Sequence, residues 1–169
     1  NGSGRSPATW TPERFAGHDN MPEHGWETVT VPGAVDTWVQ LSNRFGQLPF
    51  EKLFDSAINY AAEGFAVSPM VAAGWTRAAD EYSYLEGFRT IFMPNGRAPT
   101  AGETFQSEIM ANTLSEIADS RGESFYRGRL ASRIVADAAR FDGALTEQDL
   151  AEHQGFWTDC IQQDFKELT

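Results

Sequence analysis

Apolar and polar positions along this chain recur mainly at helical spacing, which predicts about six helices separated by glycine and proline. From Phe50 to Glu63 the residues Phe50, Leu53, Phe54, Ala57, Ile58 and Ala61 form one stripe, with Pro49 before it and Gly64 after it. Ser68 and Pro69 open a second helix expected to run to about Glu86, where Gly87 would end it. Val35, Trp38, Val39, Ser42 and Phe45 mark a helix after Gly33. Phe105, Ile109, Met110, Leu114 and Ile117 mark one ending before Gly122, and Leu130, Ile134, Val135, Ala138 and Phe141 one ending at Gly143. Thr146 and Asp149 have the hydroxyl-x-x-acid spacing that starts a short helix through Leu150 and His153.

Strand signal is sparse. Glu27–Val31 alternates, Thr90–Met93 is rich in strand formers, and Trp157–Ile161 is a third short candidate. The loop Phe92–Gly102 carries two prolines and two glycines and is long for a turn, so it is either a packed surface loop or part of a site.

Length and charge narrow the function. With 169 residues the chain reads as a single helical domain over 1–169 that needs no disulfide or metal to hold it, and Cys160 has no partner. A formal net charge of -11 disfavours nucleic acid and anionic membrane as partners, and no apolar run approaches a membrane span. The absence of an initiator methionine at Asn1 is read as a sign of a fragment or a processed product.

Candidate chemistry is thin. His18, His24 and His153 lie apart without helix-spaced carboxylates, so neither a metal nor another cofactor is expected. Cys160 with His153 has no flanking nucleophile signature, and there is no Gly-x-Ser-x-Gly elbow. Arg5 and Arg97 read as loop cations, either solvated or placed to hold a carboxylate or phosphate. No catalytic residue is identified in this chain.

The order of the motifs adds to this. VTVPGAVDTW, FGQLP and the helix ending in AAEGF, followed by GETFQSEIMANTLSEIADSRGESFYRG and GALTEQDLAEH, resemble the large subunit of the γ-glutamyltransferase family, with His153 where that family usually has tyrosine. Members of that family carry, just before an Ala-Pro pair, a loop whose arginine holds the α-carboxylate of the γ-glutamyl substrate. A subgroup instead reads Asn-Gly-Ser-Gly-Arg-Ala-Pro there, and NGSGRSP resembles that subgroup, with Arg5 two positions nearer the proline than the arginine of the better-known pattern.

The resemblance implies a mainly α segment, with few short strands, of the large subunit of an α/β/β/α N-terminal-nucleophile hydrolase. It implies a precursor that cuts itself, so that a new N-terminal threonine on a small subunit attacks γ-glutamyl amides of glutathione type and passes the acyl group to water or an amine. The partners implied are that small subunit, in a heterodimer, and a small-molecule γ-glutamyl substrate. This chain has no Thr-Thr dipeptide, so it is expected to be inactive alone, with Arg5 as its substrate-binding residue. A glutaryl- or cephalosporin-type acylase of the same fold and a non-catalytic helical binding domain remain as alternatives. Members with the GSGR type of loop point to the cytoplasm rather than the periplasm.

Overall fold

The structure is a computed structural model, and it describes residues 4–160 and 162. Eight α-helices follow one another among these residues: α1 Ala34–Phe45, α2 Asp55–Glu63, α3 Pro69–Tyr82, α4 Glu86–Phe92, α5 Glu108–Asp119, α6 Glu123–Arg127, α7 Arg129–Arg140 and α8 Glu147–Ala151. Two-residue strands β1 (Phe65–Ala66) and β2 (Thr104–Phe105) pair antiparallel, with Phe65 opposite Phe105. Three 3-10 turns, Pro12–Phe15, Trp26–Thr28 and Phe50–Phe54, complete the regular structure.

Local chemistry places several of these elements. Ser68 and Ser107 each cap a helix by accepting a backbone N–H, from Val71 and Met110, at 3.3 Å. The stripe that begins at Phe50 opens as a 3-10 turn before α2, closed by the Lys52 N–H on the Pro49 carbonyl at 3.0 Å. Phe50 and Phe54 then meet edge to face, centroids 5.0 Å apart, inside the core.

Three readings of the sequence change. The helix from Pro69 stops at Tyr82, where the Arg89 guanidinium reaches back to the Ser83 carbonyl at 2.6 Å. Gly87 therefore lies inside the first turn of α4 instead of ending α3. Thr90–Phe92 are helical, not a strand: Phe88 and Phe92, four residues apart, stack at 5.1 Å, and Phe92 also meets Trp75 at 5.8 Å. That aromatic spacing outweighs the strand preference of Thr90 and Ile91. Trp157–Cys160 form no strand, and Ile161 lies outside the described residues.

The main core gathers Val31, Val35, Phe50, Phe54, Ile117, Leu130, Ala138, Leu145 and Leu150, so α1, α5, α7 and α8 share one interior. A smaller cluster under α3 holds Val67, Ala72 and Phe105, with Trp75 against it. Tyr126 of α6 joins α1 to this interior: its hydroxyl donates to the Pro32 carbonyl at 2.8 Å and accepts the Asp36 N–H at 3.0 Å. Burial pushes this phenol up to about 12, with the neighbouring Asp36 adding to the shift and its N–H opposing it.

Between pH 10 and 12 an unfolded tyrosine loses its proton while folded Tyr126 keeps it. The folded state therefore forfeits about 2–3 kcal/mol as pH rises through that window. Denaturant midpoints of the complete protein should fall steeply above pH 10, and Tyr126→Phe, though less stable at pH 8, should remove that part of the slope.

Candidate functional site

The segment around Arg5 is held by backbone as much as by side chain. Gly4 passes so near Val31 that a Cβ would strike the Val31 carbonyl, and the Arg5 carbonyl accepts the Val31 N–H at 2.9 Å. The expected extended run at Glu27–Val31 is thus a 3-10 turn followed by a stretch that pairs with the residues around Arg5.

From the other side the segment is tied to the start of α8. Asp149 is fully buried and completes a capping box with Thr146, whose N–H (3.0 Å) and hydroxyl (2.7 Å) both donate to Oδ2. Its Oδ1 faces outward along the chain and accepts the Ala8 N–H at 2.8 Å and Arg5 Nη1 at 2.9 Å. Burial pushes the Asp149 carboxyl up, but the bonds from Thr146, Ala8 and Arg5 together outweigh it and hold the group below its ordinary value.

Arg5 spends its guanidinium three ways. Nη1 also reaches the Ser6 carbonyl at 3.3 Å, and Nη2 meets Glu152 Oε2 at 3.2 Å. The arginine side chain remains 41% exposed and faces a cleft of about 720 Å³, which Gly4, Thr37, Gln40, Glu152 and residues 153–158 also line. The planar fork thereby combines a fixed contact on buried Asp149 with an outer edge that exposed Glu152 holds at the cleft.

The far wall of the cleft lies along α1. Asp36, Gln40 and Arg44 stand four residues apart on one face: Asp36 Oδ2 accepts the Gly155 N–H and the Gln40 amide, each at 2.8 Å, and the Arg44 guanidinium sits 4.1 Å from the Trp157 ring centroid. A Cβ at Gly155 would push aside the ends of the Asp36 and Gln40 side chains. His153 stacks on Tyr126 with centroids 5.1 Å apart, nearly buried, its Nε2 without a hydrogen bond and 3.6 Å from Asp36.

Of the residues singled out from the sequence, Arg5 alone lines this cleft with a charged donor. Arg97 is committed to its own loop: it holds Glu103 at 2.9 Å, and Glu103 accepts the Thr100 N–H and hydroxyl as well. Those bonds, the Thr100 N–H first and Arg97 next, bring the Glu103 carboxyl down to about 2. The Phe92–Gly102 loop is therefore a packed surface loop closed by this carboxylate. His24 lies 3.7 Å from Glu81, Cys160 is exposed, and among the described residues no group of three or more His, Cys, Asp or Glu is placed to hold a metal.

Asp36, Asp149, Glu152 and Gly155 were not expected at the site. The Thr146–Asp149 spacing announced a helix cap, but nothing local says that the same carboxylate receives an arginine 144 residues away.

The chain resembles known proteins over nearly its whole length. The family model described as Gamma-glutamyltranspeptidase matches residues 1–169. The glutathione hydrolase-like YwrD proenzyme of Bacillus subtilis is 31% identical over 98% of this chain, and the oxamate amidohydrolase proenzyme of Klebsiella pneumoniae 32% identical over 90%. The crystal structure of cephalosporin acylase from Bacillus halodurans superposes over 98% of the chain with a TM-score of 0.92 at 39% identity. The chain spans 32%, 30% and 33% of the length of these three proteins, about a third of each.

Fold and motifs together define a mainly helical segment of the large subunit of an N-terminal-nucleophile hydrolase. The chain belongs to the gamma-glutamyltranspeptidase family.

Proposed function

We propose that the complete protein cleaves γ-glutamyl amides and passes the acyl group to water or an amine, and that this chain supplies carboxylate recognition while the attacking hydroxyl resides on the small subunit. The observation that carries the reading is Arg5: a buried carboxylate anchors it on one side, and its outer edge, held only by exposed Glu152, lies at a cleft wide enough for an amino-acid-sized group. The threonine of the small subunit attacks the amide carbon, its own α-amine takes the proton, and the acyl-enzyme is released by water or an amine acceptor. Arg5 contributes by holding the substrate end that does not react, which fixes the distance of the amide from the nucleophile.

A second reading, an acylase for glutaryl- or cephalosporin-type amides, is favoured by the resemblance to the Bacillus halodurans enzyme. The two differ at the acyl end, because a glutaryl group has no α-amine beside its carboxylate. Initial rates of the complete protein on a γ-glutamyl anilide and on the matching glutaryl anilide separate them. The γ-glutamyl compound is expected to give the higher kcat/KM, and a preference for the glutaryl compound would select the acylase. Residues 1–169 alone should turn over neither.

A further inference from the structure

The two carboxylates that hold Arg5 differ in a way that bears on ligand entry. Asp149 is fully buried, and its four donors leave it nowhere to go. Glu152 sits just beyond α8, its side chain is 56% exposed, and its contact with Arg5 is the longer one, 3.2 Å against 2.9 Å. Its other oxygen already accepts the Gln148 amide at 2.7 Å, so the carboxylate keeps a partner, and gains water, if it lets Arg5 go. Ion pairs between exposed side chains are weak and exchange readily, whereas a buried, multiply bonded one does not. Arg5 and Glu152 both line the cleft.

We propose that Glu152 is a specificity-determining residue: in the empty cleft it occupies the outer Nη2 edge of Arg5, and a ligand carboxylate binds by displacing it. The proposal rests on the reading that Arg5 receives the substrate carboxylate. While Glu152 is in place, one guanidinium faces two carboxylates, and an arriving anion meets net negative charge. Entry therefore requires Glu152 to turn away toward Gln148 and solvent. A ligand without a carboxylate has no means of prising the pair apart and gains nothing when it is absent.

The test is carried out on the complete, self-processed enzyme with a γ-glutamyl anilide and its α-carboxamide analogue. Glu152→Gln should lower KM for the carboxylate substrate by about 3- to 5-fold, the factor that matches the loss of one exposed ion pair. It should leave KM for the carboxamide unchanged, and the gain should vanish in the Arg5→Ala background. An unchanged or raised KM for the carboxylate substrate overturns the proposal, as does an equal gain without Arg5, which would mean a general charge effect. If Arg5→Ala by itself leaves KM unaltered, the Arg5 reading falls and this proposal with it. If Arg5→Ala raises KM but Glu152→Gln does nothing, the proposal alone fails.

Discussion

Asp149→Ala should cost the complete protein about 2–4 kcal/mol, because it removes a fully buried carboxylate and strands its donors, although Arg5, 41% exposed, is not left as a buried charge. Two effects add. The N-terminus of α8 loses the half of its capping box in which Asp149 accepts from Thr146, leaving the Thr146 N–H unpaired, while the Thr146 hydroxyl still accepts the N–H of residue 149. The segment around Arg5 loses the Ala8 and Arg5 contacts that bind it to α8, and those donors are left facing a void. A loss of this size is a large share of a typical domain's 5–15 kcal/mol, so a marked fall in the denaturant midpoint is the expected readout. A midpoint within about 1 kcal/mol of the parent would show that the carboxylate is dispensable.

Asp149→Asn, which keeps the shape, makes the charge visible through pH. The folded carboxyl gives up its proton at lower pH than the unfolded one, so its stabilisation is fully present above the unfolded value and disappears as pH falls through the folded value. The parent should lose stability on acidification more steeply than the asparagine variant, whose curve lacks this component.

Arg5→Ala should raise KM for γ-glutamyl substrates by roughly 10- to 150-fold, equivalent to about 1.5–3 kcal/mol for one lost charge-assisted pair, with kcat changed far less. The asymmetry follows from the role assigned to Arg5, which holds a part of the substrate remote from the reacting amide. Arg5→Lys should recover only part of the loss. An ammonium keeps the charge but lacks the rigid fork that serves Asp149 on one edge and a ligand on the other. The Arg5–Asp149 contact also contributes to stability, so midpoints measured alongside the kinetics separate a folding defect from a recognition defect. An unchanged KM in a folded variant removes Arg5 from the site.

Periodicity and punctuation made most of the helices legible. Gly64, the Ser-Pro pair at 68 and 69 and the Thr146–Asp149 spacing mark boundaries that depend on bonds within a few residues, and α2 ends, α3 begins and α8 begins where those signals stand. The short strands at Phe65 and Thr104 and the helical turn at Thr90–Phe92 were not legible. Their state is set by partners elsewhere: Phe105 across the pair in one case, Trp75 and Phe88 in the other. The five residues of α6 gave no usable period, and Tyr126 fixes that helix by reaching across to Pro32 and Asp36.

The candidate site divides in the same way. Arg5 was visible because its small neighbours and the following Ser-Pro form a motif, and the cap at Thr146 and Asp149 because its spacing has a local mechanism. That the cap's carboxylate is also the anchor of Arg5, that Glu152 covers the arginine's outer edge, and that Asp36 pins the opposing wall at Gly155 were decided by tertiary structure. Bonds between near neighbours are written into residue spacing because the chain itself brings those groups together. A contact across 144 residues exists only because a shared hydrophobic interior seats α8 beside the segment around Val31, and that interior is a property of the whole packed chain.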